Sequence, residues 1–368
     1  MCMKILFVIP TLGTGGAERV ASILANYFAD DNEVEFFVME KSDVERYPIS
    51  DNVLIKEAGT NVKRGNKVKT IVSFACNFMS QKNKLQKEIC RFKPDVIISF
   101  LPKADMLVSS VKGNYKWIAS ERNDPMSRSN IERAILNYIY KKTEMLVCQT
   151  KKVSYFYRKK NIKHTCVIRN PLILNDTISM NTVNEKKYVI AIGRLDKQKN
   201  YSMLITAFAE VKKNNKKIKE KLYIIGEGPQ REKLQNVIIS LNLQKDVMLL
   251  GRKNNIRDYL DKAKAFILSS DYEGLPNAML EAMDAGLPII STDYFTGAAR
   301  EFVNEENGYI VPVGDCQKMA KAIEQLLLKS ELELNKMGYV SKQRVKTLDI
   351  VEISKQWNTM IKSISKVK

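Results

Sequence analysis

Three groups of residues in this chain have the types and spacing to hold a phosphorylated ligand. The first is the segment from Glu273 to Glu281, EGLPNAMLE, in which Gly274 and Pro276 break the chain and a helical pattern follows. Glu273 is then left in a loop, and Glu281 falls on the helix. Backbone N–H groups around Leu275 to Ala278, with Asn277 among them, would point at a diphosphate, and each carboxylate would accept hydrogen bonds from sugar or ribose hydroxyls. The same two acids are also compatible with a glycosidase pair or with a capped helix carrying a surface acid. The second group is GRLDKQKN, Gly193 to Asn200. Arg194 and Lys199 on a strand-to-helix turn would clamp a diphosphate and neutralise charge that grows as it leaves, or they are simply solvated. The third is PTLGTGGAER, where Gly13, Gly15 and Gly16 lead into a helix and would let backbone N–H groups approach a phosphate, or simply form a tight strand-to-helix turn with no ligand. A dinucleotide fingerprint would need glycine at position 18, which is Glu18.

Elements that position such turns are legible as short apolar runs alternating with helical patterns. The first series is KILFVI (4–9), VEFFVM (34–39), DVIISF (95–100), KWIAS (116–120) and MLVC (145–148). Between the first two runs, Val20, Ile23, Leu24, Tyr27 and Phe28 follow the spacing of an amphipathic helix. The rhythm pauses from about Asn170 to Lys187, a polar linker opened by Asn-Pro. A second series follows: YVIAIG (188–193), LYIIG (222–226), VMLLG (247–251), AFILSS (265–270) and LPIIST (287–292). The expected fold class is α/β, with two Rossmann-like parallel-sheet domains facing a cleft, residues 1–172 and 185–349, and a final helical segment at 350–368. In doubly wound sheets ligands sit beyond the carboxyl ends of the strands, which is where all three groups lie.

Composition narrows the classes. The 368 residues exceed one ordinary core, and 45 % hydrophobic with 27 % charged residues fits a globular chain. A net charge of +19 points to an anionic partner. Between Lys63 and Lys93 nine basic residues, including Arg64, Lys67 and Lys69, face one acid, Glu88. Six cysteines without a C-x-x-C pair and a single histidine, His164, give no metal-ligand spacing, so neither a metal nor a resident cofactor is expected. No apolar run is long enough to span a membrane, and ILFVIP reads as a buried first strand rather than a signal peptide.

Taken together and in order, GGAER, GRLDKQKN, LYIIGEGP, VMLLG, EGLPNAMLE and NGYIVPVGD resemble glycosyltransferase family 4 over nearly the whole chain. The resemblance implies the GT-B fold: an acceptor domain first, a donor domain second, and a last helix crossing back. It implies a retaining hexosyl or N-acetylhexosaminyl transfer from a nucleotide diphosphate sugar, with UDP as the expected carrier. By position, Gly15 and Gly16 would approach the donor phosphates, Arg194 and Lys199 would stabilise the leaving diphosphate, and Glu273 would contact the transferred sugar. Glu281 would contact the ribose, Gly274 and the backbone of Leu275, Pro276 and Asn277 would complete the phosphate cradle, and Gly226 joins the donor-binding positions. The D-x-D element that binds metal in the other large glycosyltransferase fold is missing here.

One departure concerns KWIASERND, where many relatives carry a histidine and this chain has Glu121, Arg122, Asn123 and Asp124. The expectation is a front-face mechanism in which the leaving phosphate takes the acceptor proton, with Arg122 or Asn123 contacting donor or acceptor. A bare strand end and helix cap is the alternative. The layout is similar to bacterial enzymes that extend undecaprenyl-diphosphate-linked oligosaccharides, which implies a peripheral place on the cytoplasmic face of the cell membrane. Lys63, Arg64, Lys67 and Lys69 would then meet an anionic membrane, unless they form a solvated helix face. The competing classes are a nucleotide-sugar epimerase, disfavoured by the single histidine, and a basic nucleic-acid-binding protein, for which no binding module is recognisable.

Overall fold

The computed structural model describes residues 2–13, 15–41, 46–59, 67–174 and 188–365. The chain divides into two compact units, Met1–Pro171 joined by Ile350–Lys368, and Leu172–Asp349.

In the first unit the elements run Lys4–Ile9 (β1), Gly16–Phe28 (α1), Glu33–Val38 (β2), Val53–Glu57 (β3), Lys67–Phe92 (α2), Val96–Phe100 (β4) and Pro102–Ser109 (α3). They continue with Lys116–Ser120 (β5), Asn130–Tyr140 (α4), Met145–Cys148 (β6), Lys151–Arg158 (α5) and Thr165–Val167 (β7). All seven strands are parallel, in the order β3-β2-β1-β4-β5-β6-β7. β1 and β4 are buried nearly throughout, because helices cover both faces of a parallel sheet. The periodic face of α1 supplies Val20, Leu24 and Phe28 to the core, while Ile23 and Tyr27 are half-buried.

The second unit holds Tyr188–Ile192 (β8), Tyr201–Asn214 (α6), Lys221–Ile225 (β9), Arg231–Ser240 (α7), Val247–Gly251 (β10), Ile256–Leu260 (α8) and Ala263–Leu268 (β11). It ends with Asn277–Asp284 (α9), Ile289–Thr292 (β12), Ala298–Phe302 (α10), Gly308–Val311 (β13), Cys316–Leu327 (α11) and Glu331–Val345 (α12). Its six strands are again parallel, in the order β10-β9-β8-β11-β12-β13. Ile350–Ser365 (α13) returns to the first unit, where Trp357 is fully buried and stacks on Phe100 at 6.4 Å.

In each sheet the strand order reverses beside the first strand, between β1 and β4 and between β8 and β11. These switch points open crevices at the carboxyl ends of the strands. The crevice of the second unit is flanked by the turn after β8, Gly193–Asn200, and the turn after β11, 269–276. Among the described residues no helix is long and apolar enough to cross a membrane.

Candidate active site

The turn after β8 is shaped by backbone contact. Gly193 has φ +155° and donates its N–H to Ile225 O at 3.0 Å. Gly226, with φ +148°, lies so close that a Cβ there would overlap the Gly193 carbonyl. A side chain at Gly226 would force the two turns apart, whereas one at Gly193 would press on the Lys199 side chain and the Tyr201 hydroxyl. The structure thus uses Gly226 to let the turn after β9 support the turn after β8. Asn200, left-handed at φ 46°, caps α6 by accepting from Met203 N–H and donates to Asp271 Oδ1 at 2.8 Å.

Two charges predicted for the diphosphate stand differently on this turn. The Arg194 side chain is 73 % exposed and donates through Nε to Asp196 Oδ2 at 2.8 Å. Lys199 points inward, and its Nζ lies 2.6 Å from Glu273 Oε1 on the turn after β11. Glu273 also accepts from Ser270 Oγ at 2.7 Å and from Gln198 Nε2 at 3.2 Å. Asp271 N–H donates to Gln198 O at 2.8 Å and Ser269 Oγ to Lys199 O at 2.7 Å, so the two turns are fastened along their length. Thr296 Oγ1 donates to Gly274 O at 2.9 Å, fixing the entry to α9.

Pro276 is the N-cap of α9, which begins at Asn277. Gly274, Leu275 and Pro276 are buried and Asn277 is half-buried at the start of this helix. Glu281 lies one turn further along α9, half-buried. Tyr201 and Tyr294 are missed by sequence reasoning. Both are fully buried, and burial first, then the Glu273 charge, pushes their phenols well above the usual range. Their apolar periodic positions gave no hint of this. The arrangement offers an exposed guanidinium, a buried ammonium–carboxylate pair and a helix start on one rim, which suits a sugar diphosphate.

In the first unit Gly15 precedes α1, and the Glu18 carboxylate folds back against it while accepting from Thr11 Oγ1 at 3.0 Å. Arg122, expected to meet donor or acceptor, is 6 % exposed. Its guanidinium lies 5.3 Å from the Phe100 ring and 5.7 Å from the Trp357 ring, and Nη1 donates to Asn170 Oδ1 at 2.7 Å. Burial works against its charge and lowers its pKa. Asn123 is exposed, with its N–H donated to Glu121 Oε1 at 3.1 Å.

Glu121 is the residue the sequence undervalued. Arg128 donates to both its oxygens at 2.6 Å, and Tyr157 donates to Oε2 at 2.6 Å. Burial works to raise its pKa, yet Arg128 outweighs it and the net direction is downward. Tyr140 links this cluster to Asp105 at 2.9 Å, whose other oxygen accepts from Ser99 at 2.6 Å. Burial pushes Asp105 up to about 8.

Of the basic residues expected to meet a membrane, Lys63 and Arg64 lie outside the described residues, and Lys67 and Lys69 fall on α2, where side chains are described only from Cys76 onward. Further along, Lys84 donates to Ala58 O and Arg91 pairs with Glu35 and Glu88, so part of that run serves the fold. Phe78 packs against the core.

Two doubly wound parallel units, the second carrying this crevice, define a GT-B glycosyltransferase architecture. The model for "Glycosyl transferases group 1" matches residues 176–344. A glycosyltransferase of Methanocaldococcus jannaschii is 30 % identical over 341 residues, 76 % of this chain and 82 % of the relative. The chain belongs to the glycosyl transferases group 1 family and is a glycosyltransferase. It is also similar, at 29 % identity over 100 % of this chain and 99 % of the relative, to a Campylobacter jejuni enzyme. That enzyme is named as an alpha-1,4-N-acetyl-D-galactosaminyltransferase acting on a diphospho-undecaprenol-linked GalNAc-GalNAc-diNAcBac glycan. Anabaena HepE, solved in complex with UDP-glucose, shares the fold with a TM-score of 0.78 at 16 % identity, covering 98 % of this chain and 100 % of that one.

Proposed function

We propose that the chain moves a hexose or N-acetylhexosamine from a UDP-sugar onto an undecaprenyl-diphosphate-linked oligosaccharide, with retention at the anomeric carbon, at the inner face of the cell membrane during glycan assembly. The observation that carries this reading is the Lys199–Glu273 pair beside exposed Arg194 at the switch point of the second unit. The acceptor class follows the Campylobacter jejuni relative, and the carrier nucleotide follows the UDP-glucose complex of the structural relative.

Arg194 and Lys199 hold the diphosphate, the α9 start from Leu275 to Asn277 donates to it, Glu273 accepts from a sugar hydroxyl, and Glu281 accepts from the ribose. Gly15 and Gly16 are further phosphate contacts, and Asn123 an acceptor contact. In the reaction the bond from the anomeric carbon to the diphosphate oxygen breaks, and a bond to the acceptor hydroxyl oxygen forms on the same face. The acceptor proton passes to the leaving phosphate oxygen. Cationic groups placed before charge develops lower the barrier, because they need no reorganisation during the step.

The test is nucleotide release across a panel of UDP-sugars and GDP-mannose, with and without lipid-diphosphate-linked acceptors. Acceptor-dependent release of UDP, with an α-linked product from an α-linked donor, is expected. Release that ignores the acceptor, or a β-linked product, overturns the proposal.

A further inference from the structure

The first unit carries an exposed apolar stripe that its core does not use. On α4, Leu136, Ile139 and Tyr140 face the sheet, while Ile131, Ile135 and Tyr138 are 75, 45 and 65 % exposed. Positions 131, 135 and 138 are spaced i, i+4 and i+7, so they form one ridge. Tyr155 on α5, 59 % exposed, is a further outward-facing aromatic on a neighbouring helix: the buried Tyr140 and Tyr157 rings of α4 and α5 meet edge to face at 5.4 Å. Successive right-handed crossovers place both helices on the same side of the sheet.

The ridge is set in positive charge. From Met126 to Lys163 there are ten basic residues, of which Arg128 is buried against Glu121, and two acids, Glu132 and Glu144. Both acids are engaged, Glu132 lying 3.8 Å from Arg128 and Glu144 accepting from Trp117 N–H at 2.8 Å. Lys142 and Lys159 lie over the exposed Tyr138 and Tyr155 rings at 4.8 and 4.6 Å. Exposed apolar and aromatic side chains rimmed by lysines suit the boundary of an anionic bilayer, where rings enter the headgroup layer and ammonium groups meet phosphates. The second unit offers an internal contrast. Leu332 and Tyr339 on α12 are as exposed, at 65 and 67 %, but the chain from Leu328 to Tyr339 carries two bases against two acids.

We infer that the outer face of α4 and α5, formed by Ile131, Ile135, Tyr138 and Tyr155 with Lys141, Lys142 and Lys159, docks the enzyme on an anionic phospholipid surface. The inference deepens, and rests on, the reading of a lipid-linked acceptor, and it moves the membrane contact away from Lys63 to Lys69.

The full chain is tested by co-flotation with vesicles of phosphatidylcholine alone or containing about one-third phosphatidylglycerol. Binding to the anionic vesicles only is expected. The double variant Lys141→Gln, Lys142→Gln should weaken it roughly fivefold per lysine. Ile131→Gln, Ile135→Gln, Tyr138→Gln should weaken it on the order of tenfold or more. Leu332→Gln, Tyr339→Gln should bind as the parent does. All variants should keep the parent's turnover on a water-soluble diphosphate-linked acceptor, which also reports folding. Unchanged vesicle binding in the α4 variants overturns the inference, as does a parent chain that binds no anionic vesicles or binds neutral ones equally. A parent that self-associates through this ridge in sedimentation, without binding lipid, overturns it too. Vesicle binding that depends on α4 in a chain that transfers no sugar would sink the proposed function and leave the docking surface standing.

Discussion

Replacing Lys199 with alanine isolates the energetic core of the candidate site. The ammonium sits 2.6 Å from Glu273 Oε1, and the two side chains are only 14 and 9 % exposed. Without Lys199, the buried carboxylate retains, among the described residues, the hydrogen bonds from Ser270 and Gln198. Breaking one half of a buried pair costs about 3–5 kcal/mol, because the remaining charge has lost its counter-ion but not its desolvation. In a unit of this size that corresponds to a drop of roughly 6–20 °C in melting temperature. Adding Glu273→Gln to the same chain removes the stranded charge and should recover most of the loss, leaving a deficit of about 1–2 kcal/mol. The assay can separate the two units. The chain's two tryptophans, Trp117 and Trp357, both lie in the first unit, so their fluorescence follows that unit while far-ultraviolet circular dichroism follows both. Lys199→Ala should lower a transition seen by circular dichroism and leave the fluorescence transition in place. A loss below about 1 kcal/mol, or a double variant no more stable than the single one, would refute the buried-pair argument.

Arg194→Ala changes a mostly exposed side chain, so stability should hold within about 0.5 kcal/mol while turnover falls about 100-fold; equal turnover removes Arg194 from the site. Asp105 gives a pH signature. Its folded pKa of about 8 lies above the ordinary 3.8, so its protonated form stabilises the fold at low pH, and stability is lost as pH rises through that window. Asp105→Asn should remove a fall of about 1.4 kcal/mol per pH unit between pH 5 and 7, read by urea unfolding followed through tryptophan fluorescence; identical slopes in parent and variant count against it. Arg122→Ala opens space between Phe100, Trp357 and Asn170, and should lower the fluorescence transition by about 2–4 kcal/mol with a red shift in emission; an unmoved transition contradicts the packing role.

Most central strands were legible because burial on both faces leaves continuous apolar runs. KILFVI, KWIAS and MLVC coincide with β1, β5 and β6, and the apolar run VMLLG also marks β10, although that strand lies at the edge of its sheet and is only partly buried. The edge strand β3 escaped notice because VLIKE is mostly solvent-exposed, β7 because it has three residues, and β13 because its apolar run is brief. Sequence reasoning placed Arg194, Lys199 and Glu273 on turns after strands, yet it gave lysine and glutamate separate tasks. Their contact comes from β8 and β11 being neighbours at the switch point, a pairing that local pattern does not encode. The Glu121 network was hidden for the same reason, since its partners Tyr140 and Tyr157 read as ordinary core aromatics.

Arg122 and Arg194 occupy equivalent places, each two residues beyond its strand, β5 and β8 respectively. One is 6 % exposed overall and the other has a side chain 73 % exposed. The difference lies in what can reach them. Gly193 turns the chain so that Arg194 projects from the rim, where Asp196 on its own turn engages it. Arg122 is reached by α13, whose Trp357 lies over its guanidinium, so its cation is spent on holding the last helix to the first unit. Position at a strand end therefore makes a cation available to a ligand only where no other element covers it. By that criterion the Arg194 guanidinium is open to a ligand, whereas Arg122 acts through the packing around it.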